Sequence, residues 1–313
     1  MFIKFLLRQG NINLNAQSYH GYTALTKALD SGYPEVAEFL LEQEQTNVLP
    51  TKQNSKNALL IALVNKDWYL VDLILNKNPE SKAQVLGHAL ITASDEGELE
   101  AVKFLLDQSE TDVNFIGFDG QTALSAASYK LHLNVVDLLL DQENIDVKHI
   151  DDQGYTALHY VILGRSRVSF LNSLTKTSED IKADTAHAIL KLFLVNKDLD
   201  VNIFDQEKGS RRTALMLATE RGYEGIVKLL LEHLKTDVNL QSIEEKWSPL
   251  MMAAINEDLA LVKLFLNQRG IDLELRNSDD QNVFELVLEN LKDQKSSAAL
   301  KEIRKLIFFK MNQ

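Results

Sequence analysis

From Asp119 to Asn144 the chain runs through one complete cycle of polar and apolar positions. A turn residue, Gly120, precedes a short apolar face of mostly small side chains, Ala123, Leu124, Ala126 and Ala127. A polar break at Lys130 to His132 follows, and then a bulkier face of Val135, Val136, Leu138, Leu139 and Leu140. The spacing predicts two amphipathic helices joined by a tight turn, the first flat enough to be stacked upon closely. A polar stretch ending in Ile145, Asp146 and Val147 closes the cycle, which then restarts.

Copies of the first helix begin at Thr23, Asn57, His88, Thr122, Thr156, Thr213, Ser248 and Asn282, with successive separations of 34, 31, 34, 34, 57, 35 and 34 residues. A period in this range means stacked supersecondary units, each too small to bury its own apolar face and each completed by its neighbours. Seven of the eight leading residues are Thr, Ser or Asn, which accept a hydrogen bond from an orphan N–H at a helix start. His88 is the exception and is expected to lead a helix without such a cap.

The tandem of GxTALxxA, a turn, a VVxxLLL helix and a DVN tail resembles the ankyrin repeat over essentially the whole chain. The family's TPLH survives in part as TALH at Thr156 to His159 and as SPL at Ser248 to Leu250. Its tail is matched by TDVN at Thr111 to Asn114, LDVN at Leu199 to Asn202 and TDVN at Thr236 to Asn239. The copies NALLIA and HALITA are the most degenerate. The resemblance implies an all-α solenoid with hairpin loops projecting from an L-shaped stack, and protein recognition by a concave face lined with loop tips and first helices. It also implies a hydrogen bond between His159 and Thr156. Asn114, Asn202 and Asn239 are similar to ankyrin asparagines that are hydroxylated in some members, or they hold their hairpins through the amide.

Three departures from the period set the expected boundaries: an N-terminal half-repeat over 1–16, an array over 17–290 with an insertion at about 165–184, and a C-terminal capping helix over 291–313. At the start, Ile3 to Gly10 (IKFLLRQG) aligns with Val102 to Ser109, a second helix whose first helix is missing. Either a half-repeat caps the stack or the chain is cut from a longer array; the second reading is preferred. About 20 extra residues near Arg165 to Asp184, and three near Gly209, account for the spacing of 57. The longer insertion reads as a tolerated surface loop or a binding element, with Arg165, Ser166, Arg167 and Ser169 open to phosphorylation or an acidic partner. From Leu291 onward six Lys and Arg face two Asp and Glu, and Leu300, Ile303, Leu306 and Ile307 fall at helical spacing. Such a helix can seek membranes or peptide grooves, but a cap that is apolar inside and charged outside explains it better.

The 313 residues contain no cysteine, which removes disulfides, thiolate zinc sites and cysteine nucleophiles, and the net charge of −12 disfavours a phosphate backbone as partner. No apolar run reaches the roughly 20 residues of a membrane span, and Lys4 and Arg8 interrupt the apolar start, so no signal peptide is read. Seven histidines form neither HxxxH nor HExxH, and no glycine-rich phosphate loop follows a strand. No catalysis, cofactor or metal is expected, unless a catalytic domain lies outside this chain.

The resemblance places the readable columns just before each TAL and at the end of each first helix. They hold Tyr19, His20, Tyr22, Phe118, Tyr129, Asp152, Tyr155, Arg211, Arg212 and Trp247. Aromatic and arginine side chains carry much of the energy at interfaces. Tyr22 and Tyr155 share a register that can also brace the stack. Acidic Asp30, Asp95, Glu96, Asp152 and Glu220 in the same columns point to a protein partner with a basic segment, bound by a monomer. A cytoplasmic setting is expected. The composition also resembles ankyrin effectors that intracellular bacteria deliver into a host cytoplasm.

Overall fold

The computed structural model describes residues 12–52, 56–169, 176–206, 211–292 and 297–313, with backbone alone for 165–169 and 176–183. Among these, sixteen α-helices follow one another without a strand. They are α1 (Ala24–Asp30), α2 (Pro34–Glu42), α3 (Ala58–Val64), α4 (Trp68–Asn76), α5 (Lys82–Glu96), α6 (Leu99–Leu106), α7 (Ala123–Lys130) and α8 (Leu133–Leu140). After these come α9 (Ala157–Ser169), α10 (Lys176–Val195), α11 (Ala214–Glu220), α12 (Glu224–Glu232), α13 (Pro249–Ile255), α14 (Leu259–Leu266), α15 (Val283–Asn290) and α16 (Ala298–Met311). Two compact units are formed, Met1–Ala127 with Asp141–Ile145, and Ser128–Leu140 with Asp146–Gln313.

In the first unit α1 stacks on α3 and α3 on α5, while α2 lies on α4. The second unit repeats the arrangement, α9, α11, α13 and α15 forming one row and α8, α10, α12, α14 and α16 the other. First helices meet through small buried side chains such as Ala62, Ala93, Ala126, Ala127, Ala218, Ala253 and Ala254. Second helices bury bulk, including Leu105, Leu139, Ile189, Phe193, Leu230 and Phe265. Each such burial contributes roughly 1.5–3 kcal/mol before the entropy cost.

The leading residues cap as their chemistry dictates. Thr23 Oγ1 accepts from the Thr26 N–H at 3.2 Å while the Thr23 N–H donates to Thr26 Oγ1 at 2.8 Å. Asn282 and Glu285 do the same reciprocally, both bonds at 3.0 Å. Asn57, Thr122, Thr213 and Ser248 each accept from the N–H three residues on. His88 departs from the expectation: it lies inside α5, which starts six residues earlier at Lys82, after a 3-10 turn at Pro79–Ser81. No cap stands at position 88, and Lys82 to Leu86 lack a helix breaker, so the helix nucleates upstream. Gly87 is tolerated mid-helix because a Cβ there would sit 2.2 Å from the Phe115 ring.

Asparagines tie one repeat to the next. Asn202 donates to the Lys235 carbonyl at 2.7 Å and accepts from the Asp237 N–H at 3.0 Å. Asn239 bonds likewise to Gly270 and Asp272, and Asn15 to Gln45 and Asn47. Asn114 donates to the Asn144 carbonyl at 2.6 Å. Their amides therefore hold the following connector, not their own hairpin as the sequence reading had it.

The insertion is not a simple loop. Backbone helix reaches Ser169 in α9 and is present from Lys176 in α10, both within an inserted stretch that holds neither Gly nor Pro to end a helix. The side chains of Arg165, Ser166, Arg167 and Ser169, the half-repeat at Ile3 to Gly10 and the extra residues near Gly209 lie outside the described residues. At the far end α16 packs on α14 and α15 and buries Leu300, Ile303 and Ile307.

Gly164 of α9 packs directly on Tyr129: an added Cβ would stand 2.2 Å from the Tyr129 carbonyl oxygen. Gly164→Ala should therefore destabilise the fold by about 1–3 kcal/mol despite raising helix propensity. A lowered urea midpoint checks this, and an unchanged one would show that α9 can step aside.

Candidate protein-interaction surface

Five of the hairpins are built by a polar residue at their entry. Asp151 Oδ1 accepts from the N–H groups of Gln153 and Tyr155, both at 3.0 Å, and the Asp151 N–H donates to the Tyr155 carbonyl at 3.1 Å. Asp205 Oδ1 accepts from Arg212 N–H at 2.9 Å, and Asn277 Oδ1 from Gln281 N–H at 2.8 Å. Ser18 and Ser242 use their hydroxyls in the same way on Tyr22 and Trp247. This column escaped the sequence reading; its signal is a small polar residue five to eight positions before five of the helix leaders. Adjacent hairpins also pair by backbone, Gln206 N–H to the Gly154 carbonyl at 2.8 Å and Ser278 N–H to the Glu245 carbonyl at 2.9 Å. Gly154 has φ +88°, and a Cβ there would strike Gln206, so the pairing requires glycine.

In the first unit, Tyr19 is fully exposed with its ring edge-on to His20 at 5.3 Å. Tyr22 is half-buried beneath two cations, Lys27 at 4.9 Å and Lys56 at 5.8 Å from the ring centre. Lys27 also pairs with Asp30 at 2.9 Å. Phe118 stacks on His88 at 5.0 Å, whose other contact is the Phe115 edge at 4.9 Å. Burial between them pushes the His88 pKa down.

The second unit gathers more. Tyr129 and Tyr155 both lie against Tyr160, at 5.4 and 5.6 Å between ring centres. Tyr160 was not singled out in the sequence; it occupies the fifth position of the motif, where Lys27 and Met252 also face the first-helix surface. Its hydroxyl donates to the buried carboxylate of Asp151, and burial first and Asp151 second raise its pKa. Asp152 and Arg211 are exposed at hairpin tips. Arg212 pairs with the buried Asp205 at 3.6 Å and with Glu220. Arg212, Glu220, Ser242, Glu245, Trp247, Met252 and Asn256 line a concave pocket of about 270 Å³. Of the ten candidates, Arg212 and Trp247 share that pocket, and Tyr129 and Tyr155 share the tyrosine cluster. Among the described residues no cluster of three His, Asp or Glu could hold a metal ion, and no helix is long and apolar enough to cross a membrane.

The family model for ankyrin repeats (3 copies) matches residues 90–185 and 181–277. The chain belongs to the ankyrin-repeat family. Ankyrin repeats are in general non-catalytic modules of protein–protein interaction. A stretch of 133 residues is 33% identical to ankyrin repeat and SAM domain-containing protein 6 of Rattus norvegicus, covering 40% of this chain and 15% of that protein. Among solved structures, an ankyrin repeat domain from Acinetobacter baumannii matches at a TM-score of 0.55 and 21% identity, over 71% of this chain and 97% of that one. A chain of the complex between the endopeptidase Bd0816 from Bdellovibrio bacteriovorus and the immunity protein Bd3460 matches at 0.50 and 21%, over 68% and 96%. These two likenesses concern the fold.

The ankyrin histidine His159 is buried, with Nδ1 2.8 Å from Thr156 Oγ1 as the resemblance implied. Burial pushes its pKa down to about 4, with the backbone of Arg212 opposing. An unfolded imidazole titrates near pH 6.5, so between about 6.5 and 4 the unfolded chain binds the extra proton. This contribution to stability is complete above pH 6.5 and is lost as pH falls toward 4, by up to about 3 kcal/mol. Urea unfolding at several pH values should show that loss, and His159→Gln should flatten it; an equal slope in the variant would assign the acid sensitivity elsewhere.

Proposed function

We propose that the chain recognises a basic segment of another protein through its hairpin tips and first-helix ends, with the Trp247 pocket receiving a Lys or Arg side chain. The observation that carries this is the lining of the pocket. Glu220 and Glu245 flank a half-buried indole beside the apolar Met252, while the one cation present, Arg212, is already paired with Asp205 and Glu220. An entering cation gains the indole face, the Glu245 carboxylate and a share of the Glu220 carboxylate that Arg212 already holds. An entering anion would meet both carboxylates at close range and one spent arginine. The chain's net charge of −12 adds long-range attraction for a basic segment.

Tyr129, Tyr155 and exposed Asp152 extend the same surface toward the preceding repeats of the unit. Because the curated relative is matched over only 15% of its length, the array also suits a recognition region within a longer protein.

A peptide array varying Lys, Arg, Asp, Glu and neutral residues tests the reading. Peptides with Lys or Arg should bind. Trp247→Ala, and separately Glu220→Gln with Glu245→Gln, should weaken them about ten- to a hundred-fold with unchanged circular dichroism. Selection of acidic peptides, or full binding by folded Trp247→Ala, would overturn the proposal.

A further inference from the structure

Two helix faces far apart in the sequence carry opposite charge beside exposed aromatic rings. On α2 and α4 the only charged residues are Glu35, Glu38, Glu42 and Asp72. None of these four forms an ion pair with a described residue. Among them stand Tyr33, Trp68 and Tyr69, each more than half exposed. The Tyr69 hydroxyl donates to Glu38 across the two helices, and Trp68 leans on Phe104 of α6 at 5.5 Å, so aromatics and carboxylates form one continuous surface. Large exposed aromatics rimmed by charge are uncommon on surfaces without an interaction role.

The C-terminal helix supplies the complement. Its apolar residues Leu300, Ile303 and Ile307 are buried, which turns Lys301, Arg304, Lys305, Phe308 and Phe309 outward. Residues 301, 304, 305 and 308 fall on one face at helical spacing and span about 10 Å. Neighbouring packed helices lie about 8–10 Å apart, so such a stripe can cover both α2 and α4. Lys305 pairs only loosely with Glu302, at 3.4 Å.

We propose that α16 of one copy of this chain docks on the α2–α4 face of a second copy, basic side chains meeting Glu35, Glu38 and Asp72 and Phe308 and Phe309 meeting Trp68 and Tyr69. The two patches differ, so each contact joins unlike faces and each copy carries one of both kinds. Weak, salt-sensitive self-association replaces the expected monomer. A lipid surface fits less well: with its apolar side buried, α16 offers charges and two phenylalanines but no continuous apolar face to insert, and the acidic patch would repel anionic lipid.

Sedimentation velocity on the full chain over a concentration series tests this at low and high salt. The mean mass should rise with concentration at low salt and fall back to the monomer as salt screens the contact. Arg304→Glu with Lys305→Glu, and in a second variant Glu38→Lys with Asp72→Lys, should each weaken association at least about tenfold. Arg304, Lys305 and Asp72 are exposed and Glu38 partly so, and circular dichroism verifies the fold. An equimolar mixture of the two reversed variants should recover association in alternating copies, because the unchanged basic α16 of one variant meets the unchanged acidic face of the other and the two reversed faces also complement each other. A wild-type mass that stays monomeric, association unaffected by both reversals, or failure of the mixture to recover would each overturn the proposal. So would a monomeric chain whose α16 face binds phosphatidylserine vesicles.

Discussion

The close approach of one first helix to the next is the constraint from which the remaining structure follows. Five residues after each helix leader stand Ala28, Ala62, Ala93, Ala127, Val161, Ala218, Ala253 and Val287, all buried. Alanine and valine allow the helix axes to come near, and a larger side chain would force the rows apart. Near contact in turn brings the hairpins within backbone bonding distance, as between Gln206 and Gly154. The asparagine ties at Asn15, Asn202 and Asn239 work only at that spacing, since each amide must reach a carbonyl and an N–H of the next connector together.

The candidate binding residues occupy what this spacing leaves over. The small residues face the stack, so the variable fifth position and the ends of the first helices face outward along one side of each unit. There the chain places Lys27 under Tyr22, Tyr160 between Tyr129 and Tyr155, and Met252 beneath the Trp247 pocket. The same scaffold thus presents a cation–aromatic pair, a tyrosine cluster and an acidic aromatic pocket in successive places. A repeat protein can vary these without altering its core, because each repeat touches only its neighbours. The outer faces of the second helices are free in the same sense, which is why α2 and α4 can be wholly acidic and α16 strongly basic.

Several irregularities have a shared cause: a helix extends wherever nothing stops it. The third repeat has no capping residue at His88, and α5 reaches back to Lys82. In the fifth repeat the inserted residues contain no breaker, and both α9 and α10 lengthen into them. Where a leader can cap, as at Thr213 or Asn282, the helix begins immediately after it.

The period, the leaders and the alternation of small and bulky apolar faces were legible in the letters because they are local: each is decided within one repeat by capping, volume and helical spacing. So were the identity of the fold and the pairing of His159 with Thr156. The sites were legible only as columns. That Phe118 stacks on His88, and that Trp247 shares a pocket with Glu220, depend on contacts between residues of adjacent repeats. Such contacts are set by the distance and rotation between neighbouring units. No single repeat encodes that geometry, and the polar residues that shape the hairpins, Asp151, Asp205, Ser242 and Asn277, acquire their meaning only when the backbone folds back onto them.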